Sequence, residues 1–321
     1  MPFLGTVNVW LLEGDPLTLV DTGPLRRDSL LALERGLAAR GLRVEDLELV
    51  LLTHHHLDHT GLAATIRERS GALVAALEST ADWGVEYHGR ATEERHFTEE
   101  LLSAHGVPEA LIERSEPFWT HILRESADYA TDIVLQDGGE IVAAGRHLRV
   151  LHRPGHSTTD TLFVDDDAGT AFVGDHLLAR ITSGTEATPS ELPGGARRRA
   201  LVDYLAGLRR TAEMPLRRCY PGHGPVIDDA AGLIADRLTF HAERLDRMAE
   251  LVAGGATTAF EIAERLWSKE VAATQTVLAI WEVVGHLDVL VERGVVSETV
   301  DAAGRHLFQR TEAMEIAAAA R

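Results

Sequence analysis

Residues 54 to 59 read His54-His55-His56-Leu57-Asp58-His59, four imidazoles and a carboxylate in one short stretch, and they follow the apolar run Leu49-Val50-Leu51-Leu52. A run of that length, built only of Val and Leu, predicts a buried strand that delivers the histidines onto a loop at its end. Imidazole is the commonest ligand for zinc and similar metals, and several rings this close are hard to explain by packing. The spacing His-x-His-x-Asp-His lets alternate side chains of one extended turn point the same way. It suits two metals close together, one on His54 and His56 and one on Asp58 and His59, with a helix beginning near Thr60-Gly61. An accidental polar loop would not explain why the cluster follows a core strand and includes the aspartate.

Further blocks extend the pattern. Asn8-Val9-Trp10-Leu11-Leu12 and Leu19-Val20-Asp21-Thr22-Gly23 precede it, and Arg153-Pro154-Gly155-His156-Ser157, Val173-Gly174-Asp175 and Tyr220-Pro221-Gly222-His223-Gly224 follow it. In this order, over residues 8 to 224, the blocks resemble the signature of the metallo-β-lactamase superfamily. The resemblance implies an α/β fold, the four-layer αββα sandwich. It implies that His156 joins His54 and His56 on a first metal, that His223 joins Asp58 and His59 on a second, and that Asp175 bridges both. It also implies that Asp21 supports the site from behind the ligands, although an ordinary turn aspartate is the alternative. Many members carry a histidine four residues after the Pro-Gly-His histidine. This chain has Asp160 there, which either orients a ligand imidazole or caps the following strand.

Along the chain, Thr6–Leu12 and Leu17–Val20 flank the turn Glu13-Gly14-Asp15-Pro16 and predict a hairpin, and Leu30, Leu33 and Leu37 predict a helix that Gly41 ends. Ala63–Glu68 predicts a helix and Ala72–Ala76 a strand. Residues 80 to 135 depart from a minimal core. They are helix-like and hold Trp83, Tyr87, Phe97, Phe118, Trp119 and Tyr129. The sharp reading is a substrate-binding cap in which Trp83, Tyr87, Phe118 and Trp119 contact the substrate; the alternative is a small helical subdomain or dimer contact. His88, His96, His105 and His121 are expected at the surface. Strands follow at 133–135, 140–142 and 148–151, opening the second half of the core, and a hairpin at 161–173 turns on the solvated Asp165-Asp166-Asp167. Thr182–Ala196 predicts a long loop. Arg197-Arg198-Arg199 either receives an anionic substrate or begins the helix of Leu201, Leu205 and Leu208 in solvent.

A boundary is expected near residue 230, dividing a catalytic domain (1–230) from a C-terminal domain (231–321). Leu238, Leu245, Met248 and Val252 predict an amphipathic helix that stops at Gly254-Gly255, Thr258 with Glu261 has the spacing of a capping box, and Val277–Val291 predicts a strong helix ahead of a final hairpin. That order resembles the winged-helix domain appended to one branch of the superfamily. No Lys or Arg lies between 277 and 292, so the domain is weighed as a dimerisation or cleft-closing element, with no nucleic acid. Ala313–Ala320 is expected to be a frayed helix or tail. The net charge of −19 likewise disfavours a protein that grips phosphate backbones. No apolar run approaches a membrane span and no leader is recognised, so a cytoplasmic protein is expected. The lone Cys219 is expected to be a buried small hydrophobe.

The family resemblance implies two zinc ions, with iron or manganese as other occupants, and a hydroxide available at neutral pH because zinc lowers the pKa of bound water to about 7. The hydroxide attacks a carbonyl carbon, and Asp58 can accept the proton while holding the second metal. The ligands define the reaction type better than the substrate. The apolar insertion favours a small-molecule acyl substrate, an ester, lactone or thioester. The alternatives are a phosphodiesterase or ribonuclease of the same superfamily, and a persulfide dioxygenase using one iron on His54, His56 and His156.

Overall fold

The computed structural model describes residues 6–189, 196–253, 255 and 257–311. The alanine-rich tail, Gly254 and residues 190–195 of the predicted loop lie outside them. The chain divides into two compact units, Met1–Thr92 with Thr120–Ser183 and Ala206–Ile234, and Glu93–Trp119 with Gly184–Leu205 and Ala235–Arg321. The expected boundary near 230 thus falls at the last of several crossings, and the segments 93–119 and 184–205 group with the C-terminal unit.

The elements run β1 Trp10–Leu12, β2 Thr18–Val20, α1 Arg27–Ala38, β3 Leu49–Leu52, α2 Leu57–Thr60, α3 Ala63–Ser70, β4 Leu73–Leu77, α4 Glu78–Val85, α5 Tyr87–Ala104, α6 Glu109–Glu113, α7 Glu116–Arg124, β5 Ile133–Leu135, β6 Glu140–Ala143, β7 Arg146–His152, β8 Thr161–Asp165, β9 Thr170–Gly174, α8 Ala200–Ala212 and β10 Arg218–Pro221. The first unit holds two five-stranded sheets, in the orders β1-β2-β3-β4-β5 and β10-β9-β8-β7-β6. Strand β5 pairs with β4 and so closes the first sheet, rather than opening the second half as its position in sequence suggests.

The period of the strands explains the layers. In β3, Val50 and Leu52 join a core with Leu37, Leu62 and Ile66 of the helical side. Leu49 and Leu51 face the other way, into a core shared with Ile141, Leu148, Val150 and Phe163 of the second sheet. Alternate residues of one strand thus bury two faces, which is why the run carries no polar residue. Strands β2, β3 and β4 are parallel, as are β9 and β10, so their C-terminal ends gather the loops that carry chemistry.

In the second unit, α9 Ala230–Ala253 crosses the boundary and is followed by α10 Ala259–Leu266, α11 Lys269–Thr274, α12 Thr276–Glu292 and the hairpin β11 Val296–Val300 with β12 His306–Arg310. Thr258 accepts from the Glu261 backbone N–H while the Glu261 side chain accepts from the Thr258 N–H, the reciprocal cap expected from the sequence. Helix α12 is buried nearly all round, which its lack of Lys and Arg permits. Arg197 makes a two-pronged ion pair with Asp288 of α12, at 2.6 Å for each contact. Arg198 pairs with Asp203, so the arginine run serves helix ends and packing. His105, expected at the surface, is buried against His306 and Phe308; burial first, then His306 and Arg197, hold its pKa down to about 3.

Candidate metal centre

The site begins where β3 ends. The Thr53 backbone N–H donates to Asp21 Oδ1 at 2.9 Å, and the Thr53 hydroxyl donates to Asp21 Oδ2 at 2.9 Å. Asp21 sits at φ +60°, an unfavourable region for a residue with a Cβ. These bonds, with that of its own N–H to the Leu51 carbonyl at 2.8 Å, hold it there. Its Oδ2 also lies 2.8 Å from His59 Nδ1. An Nδ1–H donated there leaves the other ring nitrogen, Nε2, with its lone pair toward the cluster. The Thr53 oxygen is 3.0 Å from His54 Nδ1, which turns His54 Nε2 inward by the same logic. His223 Nδ1 donates to the Thr6 carbonyl at 3.1 Å, with the same result.

The inward atoms converge. His54 Nε2 and His156 Nε2 lie 3.1 and 3.0 Å from His56 Nδ1. Asp175 Oδ2 lies 3.7 Å from His156 Nε2 and 3.4 Å from His223 Nε2, while its Oδ1 is 3.6 Å from His59 Nε2. Asp58 Oδ2 is 3.2 Å from His223 Nε2. The groups His54/His56/His156, His54/His59/Asp175 and Asp58/His59/His223 each present atoms close enough to hold one ion. Two ligand atoms each 2.0–2.1 Å from a tetrahedral cation lie about 3.3 Å apart, the range seen here. His59 Nε2 and Asp175 Oδ1 are buried without a hydrogen-bond partner, an arrangement that a cation resolves and packing does not.

The electrostatics agree. Burial alone would lower the His59 pKa, but Asp21, Asp58 and Asp175 carry it to about 10. Burial would raise Asp58, yet His59 and His223 take it well below the usual carboxylate range. The pocket is therefore built to hold positive charge. His54 is pushed down by burial and by the neighbouring rings, so it is a neutral imidazole.

Glycines permit the approach. Pro221 pairs with Gly174 after a register shift between β9 and β10, bringing Gly222 against Asp175. A Cβ on Gly222 would lie 2.3 Å from Asp175 Oδ1 and 2.5 Å from His59 Cε1. Gly174, at φ +47°, stands where a Cβ would meet Thr53 Oγ1 at 2.7 Å.

His55 is engaged elsewhere: its N–H donates to Thr159 Oγ1 and its ring stacks on Trp83 at 3.9 Å. Asp160 is buried and accepts from the Ser157 N–H and hydroxyl, so it braces the turn that carries His156. Of the aromatic residues expected to touch substrate, Trp83 and Tyr87 belong to the helical core, and Trp119 is buried while Phe118 packs on Trp281 in the second unit. None of the four lines the cleft of about 1050 Å³ that opens at Asp58 and His223. They are large apolar residues whose burial outweighs exposure in a cleft. Sequence reasoning missed His121 and Glu125, which do line it. The His121 ring and the Glu125 carboxylate lie 3.3 Å apart, and Glu125, nearly inaccessible, also pairs with Arg26. The i, i+4 spacing at the end of α7 was the available signal.

A sequence profile of the metallo-beta-lactamase superfamily matches residues 2–224, and one of the metallo-beta-lactamase-like C-terminal domain matches residues 245–311. The chain belongs to the metallo-beta-lactamase superfamily. Within it, a probable metallo-hydrolase, YqjP, of Bacillus subtilis (strain 168) is 30% identical over 90% of this chain and 89% of its own length. A crystal structure of a metallo-beta-lactamase family protein from Thermus thermophilus shares 29% identity with a TM-score of 0.78, covering 97% of this chain and 96% of that one. An atrochrysone carboxyl ACP thioesterase of Pseudocercospora fijiensis (strain CIRAD86) is 25% identical over 73% of this chain, which spans only 52% of that protein. Superfamily membership, together with a probable metallo-hydrolase matched over nearly its whole length, puts the chain in the class of metallo-hydrolases. Among the described residues no helix is long and apolar enough to cross a membrane.

Proposed function

We propose that this metallo-hydrolase cleaves an acyl bond, an ester, lactone or thioester, with two zinc ions held by His54, His56 and His156 on one side, Asp58, His59 and His223 on the other, and Asp175 between them. The observation that carries the reading is the position of Asp175, one carboxylate within 3.7 Å of ring nitrogens from both sets. Two such cations supply Lewis acidity to a carbonyl oxygen and bring the pKa of water to about 7. The protein's own part is positional. Asp21 and Thr53 hold His59 and His54 in the ligating tautomer, and Asp58, a carboxylate lining the cleft, is the group we assign to accept a proton beside the reacting centre. The cleft that opens at Asp58 carries Val7, Val9, Leu11, Leu33 and Leu37 along its walls, which suits an acyl group better than a sugar phosphate. A thioesterase among the relatives supports the same class. The absence of Lys and Arg between 277 and 292 keeps nucleic acid out of the reading.

The test is elemental analysis of protein purified without added metal, with a panel of lactone, thioester, ester and bis-aryl phosphate substrates. Two zinc ions per chain with acyl turnover is the expected result. One iron per chain, with oxygen uptake on a persulfide and no hydrolysis, would sink the proposal.

A further inference from the structure

The cleft does not stop at the metal centre. It continues away from Asp58 and His223 between two walls that the reaction leaves unused. One wall is the segment leading into and through β1. Val7, Val9, Leu11 and Glu13 all line the cleft, and as odd positions of an extended chain they share one face. Their even neighbours turn the other way: Asn8 and Trp10 donate from their side chains to the Pro221 carbonyl. The other wall is α1, where Ser29, Ala32 with Leu33, Gly36 with Leu37, and Arg40 just beyond its end line the cleft. These positions follow the i, i+4 ridge of a helix.

The walls match in length and are anchored at both ends. Val7 bridges to the ligand His223, so the strand wall starts at the metal centre and runs about 20 Å to Glu13. From Asp28 to Arg40 the helix wall runs about 18 Å. At the far end Glu13 and Arg40 form an ion pair; at the near end Arg26 is satisfied by Asp28 and Glu125. The charges at both ends are thus paired within the protein, and apart from Ser29 near the Arg26 end the walls between them are Val, Leu, Ala and Gly.

Gly36 is the telling residue. It lies inside α1, where glycine is the poorest helix former after proline. No close packing requires it, because a Cβ there would have nothing within 4 Å. Nor does α1 need a positive φ at that position, as Gly36 is absent from the positive-φ glycines of the described residues. What its missing side chain does provide is open width in the middle of the groove.

We propose that this groove holds the unbranched apolar chain of the acyl group, so that the substrate is a medium- or long-chain acyl ester or thioester with its carbonyl at the Asp58/His223 end. The proposal rests on the acyl-hydrolase reading above and adds the substrate class. A phosphate-bearing leaving group is a poor occupant, since the arginines at both ends of the groove are already paired.

The test measures binding and turnover separately. Straight-chain carboxylates from C4 to C12 are titrated calorimetrically into the protein as purified, and acyl esters of the same lengths are assayed for kcat/KM, with wild type and Gly36→Leu side by side. The carboxylate end is constant, so the increment per carbon reports the groove alone. Binding should tighten about threefold to fourfold per methylene. In Gly36→Leu the gain should vanish for chains reaching the plug, about 12 Å from Asp28 along the helix. Leucine improves helix propensity, so a melting temperature at or above wild type shows that the variant folds, and Gly36→Ala should keep most of the chain-length dependence. Affinity independent of chain length, or an unchanged increment in a folded Gly36→Leu, overturns the groove. Chain-dependent binding that Gly36→Leu abolishes, with no turnover of any ester or thioester, leaves the apolar-chain site standing and overturns the reaction assigned to it.

Discussion

Asp21→Asn changes one atom and tests how the metal centre is organised. Asp21 accepts from the Thr53 N–H through Oδ1, while its Oδ2 faces both the Thr53 hydroxyl and His59 Nδ1. In the asparagine variant the amide has one acceptor and one donor for these partners. If its oxygen stays on the Thr53 N–H, its NH2 faces His59 Nδ1, which must become the acceptor. The proton then moves to Nε2 and the lone pair that faces Asp58 and Asp175 is lost. If the amide flips, its NH2 confronts the buried Thr53 N–H, leaving a donor unsatisfied at about 1–3 kcal/mol. Neither orientation restores the wild-type set. Loss of such a supporting bond weakens metal binding by about 10- to 100-fold, or about 1.4–2.7 kcal/mol. The affinity of the second ion, measured by competition with a chromogenic chelator, should fall by that factor while the first ion's changes less, because His54, His56 and His156 do not touch Asp21 directly. Circular dichroism verifies that the variant is folded. A folded Asp21→Asn protein that binds its second ion as tightly as wild type would refute the claim that Asp21 sets the His59 tautomer.

Gly222→Ala places a methyl group 2.3 Å from Asp175 Oδ1, and a ligand displaced by about 1 Å lowers turnover by about 100-fold; steady-state kinetics beside metal analysis would expose an unaffected enzyme. Replacing Arg197 by alanine strands the buried Asp288 carboxylate, and breaking a buried pair of this kind destabilises by about 3–5 kcal/mol; urea melts showing less than about 1 kcal/mol would contradict the pairing. His105 titrates near 3 in the folded chain, below the ordinary imidazole value. The unfolded chain therefore takes up a proton that the folded one refuses. Its contribution is intact above about pH 6.5 and drains as the pH falls toward 3, at about 1.4 kcal/mol per pH unit. Denaturation at pH 6.5 and pH 5 should show the wild type losing about 1.6 kcal/mol more than His105→Phe, and equal losses would remove His105 as the cause.

Much of the site is legible in the sequence because its determinants are local. A Val/Leu run of strand length ends at the histidines, and three Gly-containing turns carry His156, Asp175 and His223, so each ligand is marked by its own neighbours. The capping box at Thr258 and the mainly apolar run of α12 are likewise readable from spacing alone. Other assignments depend on what lies opposite. His55 is indistinguishable in sequence from His54 and His56, and only the placement of Trp83 and Thr159 makes it a packing residue. The aromatic residues of 80–135 carry no mark saying whether their apolar area is buried in a core or left for a ligand, and the core took Trp83 and Tyr87.

The sequence by itself determined which side chains could meet a cation and which strands and helices carry them, since ligand chemistry and backbone periodicity are properties of a few consecutive residues. Tertiary structure decided the rest. It set Asp175 between two groups of imidazoles, tied Arg197 to Asp288, buried His105, and stood the odd face of β1 against the ridge of α1 so that Gly36 became width in a groove. The physical reason is common to all of these. Periodicity tells which face a residue occupies, but a face becomes a wall, a ligand sphere or a core only when folding brings its partner from elsewhere in the chain.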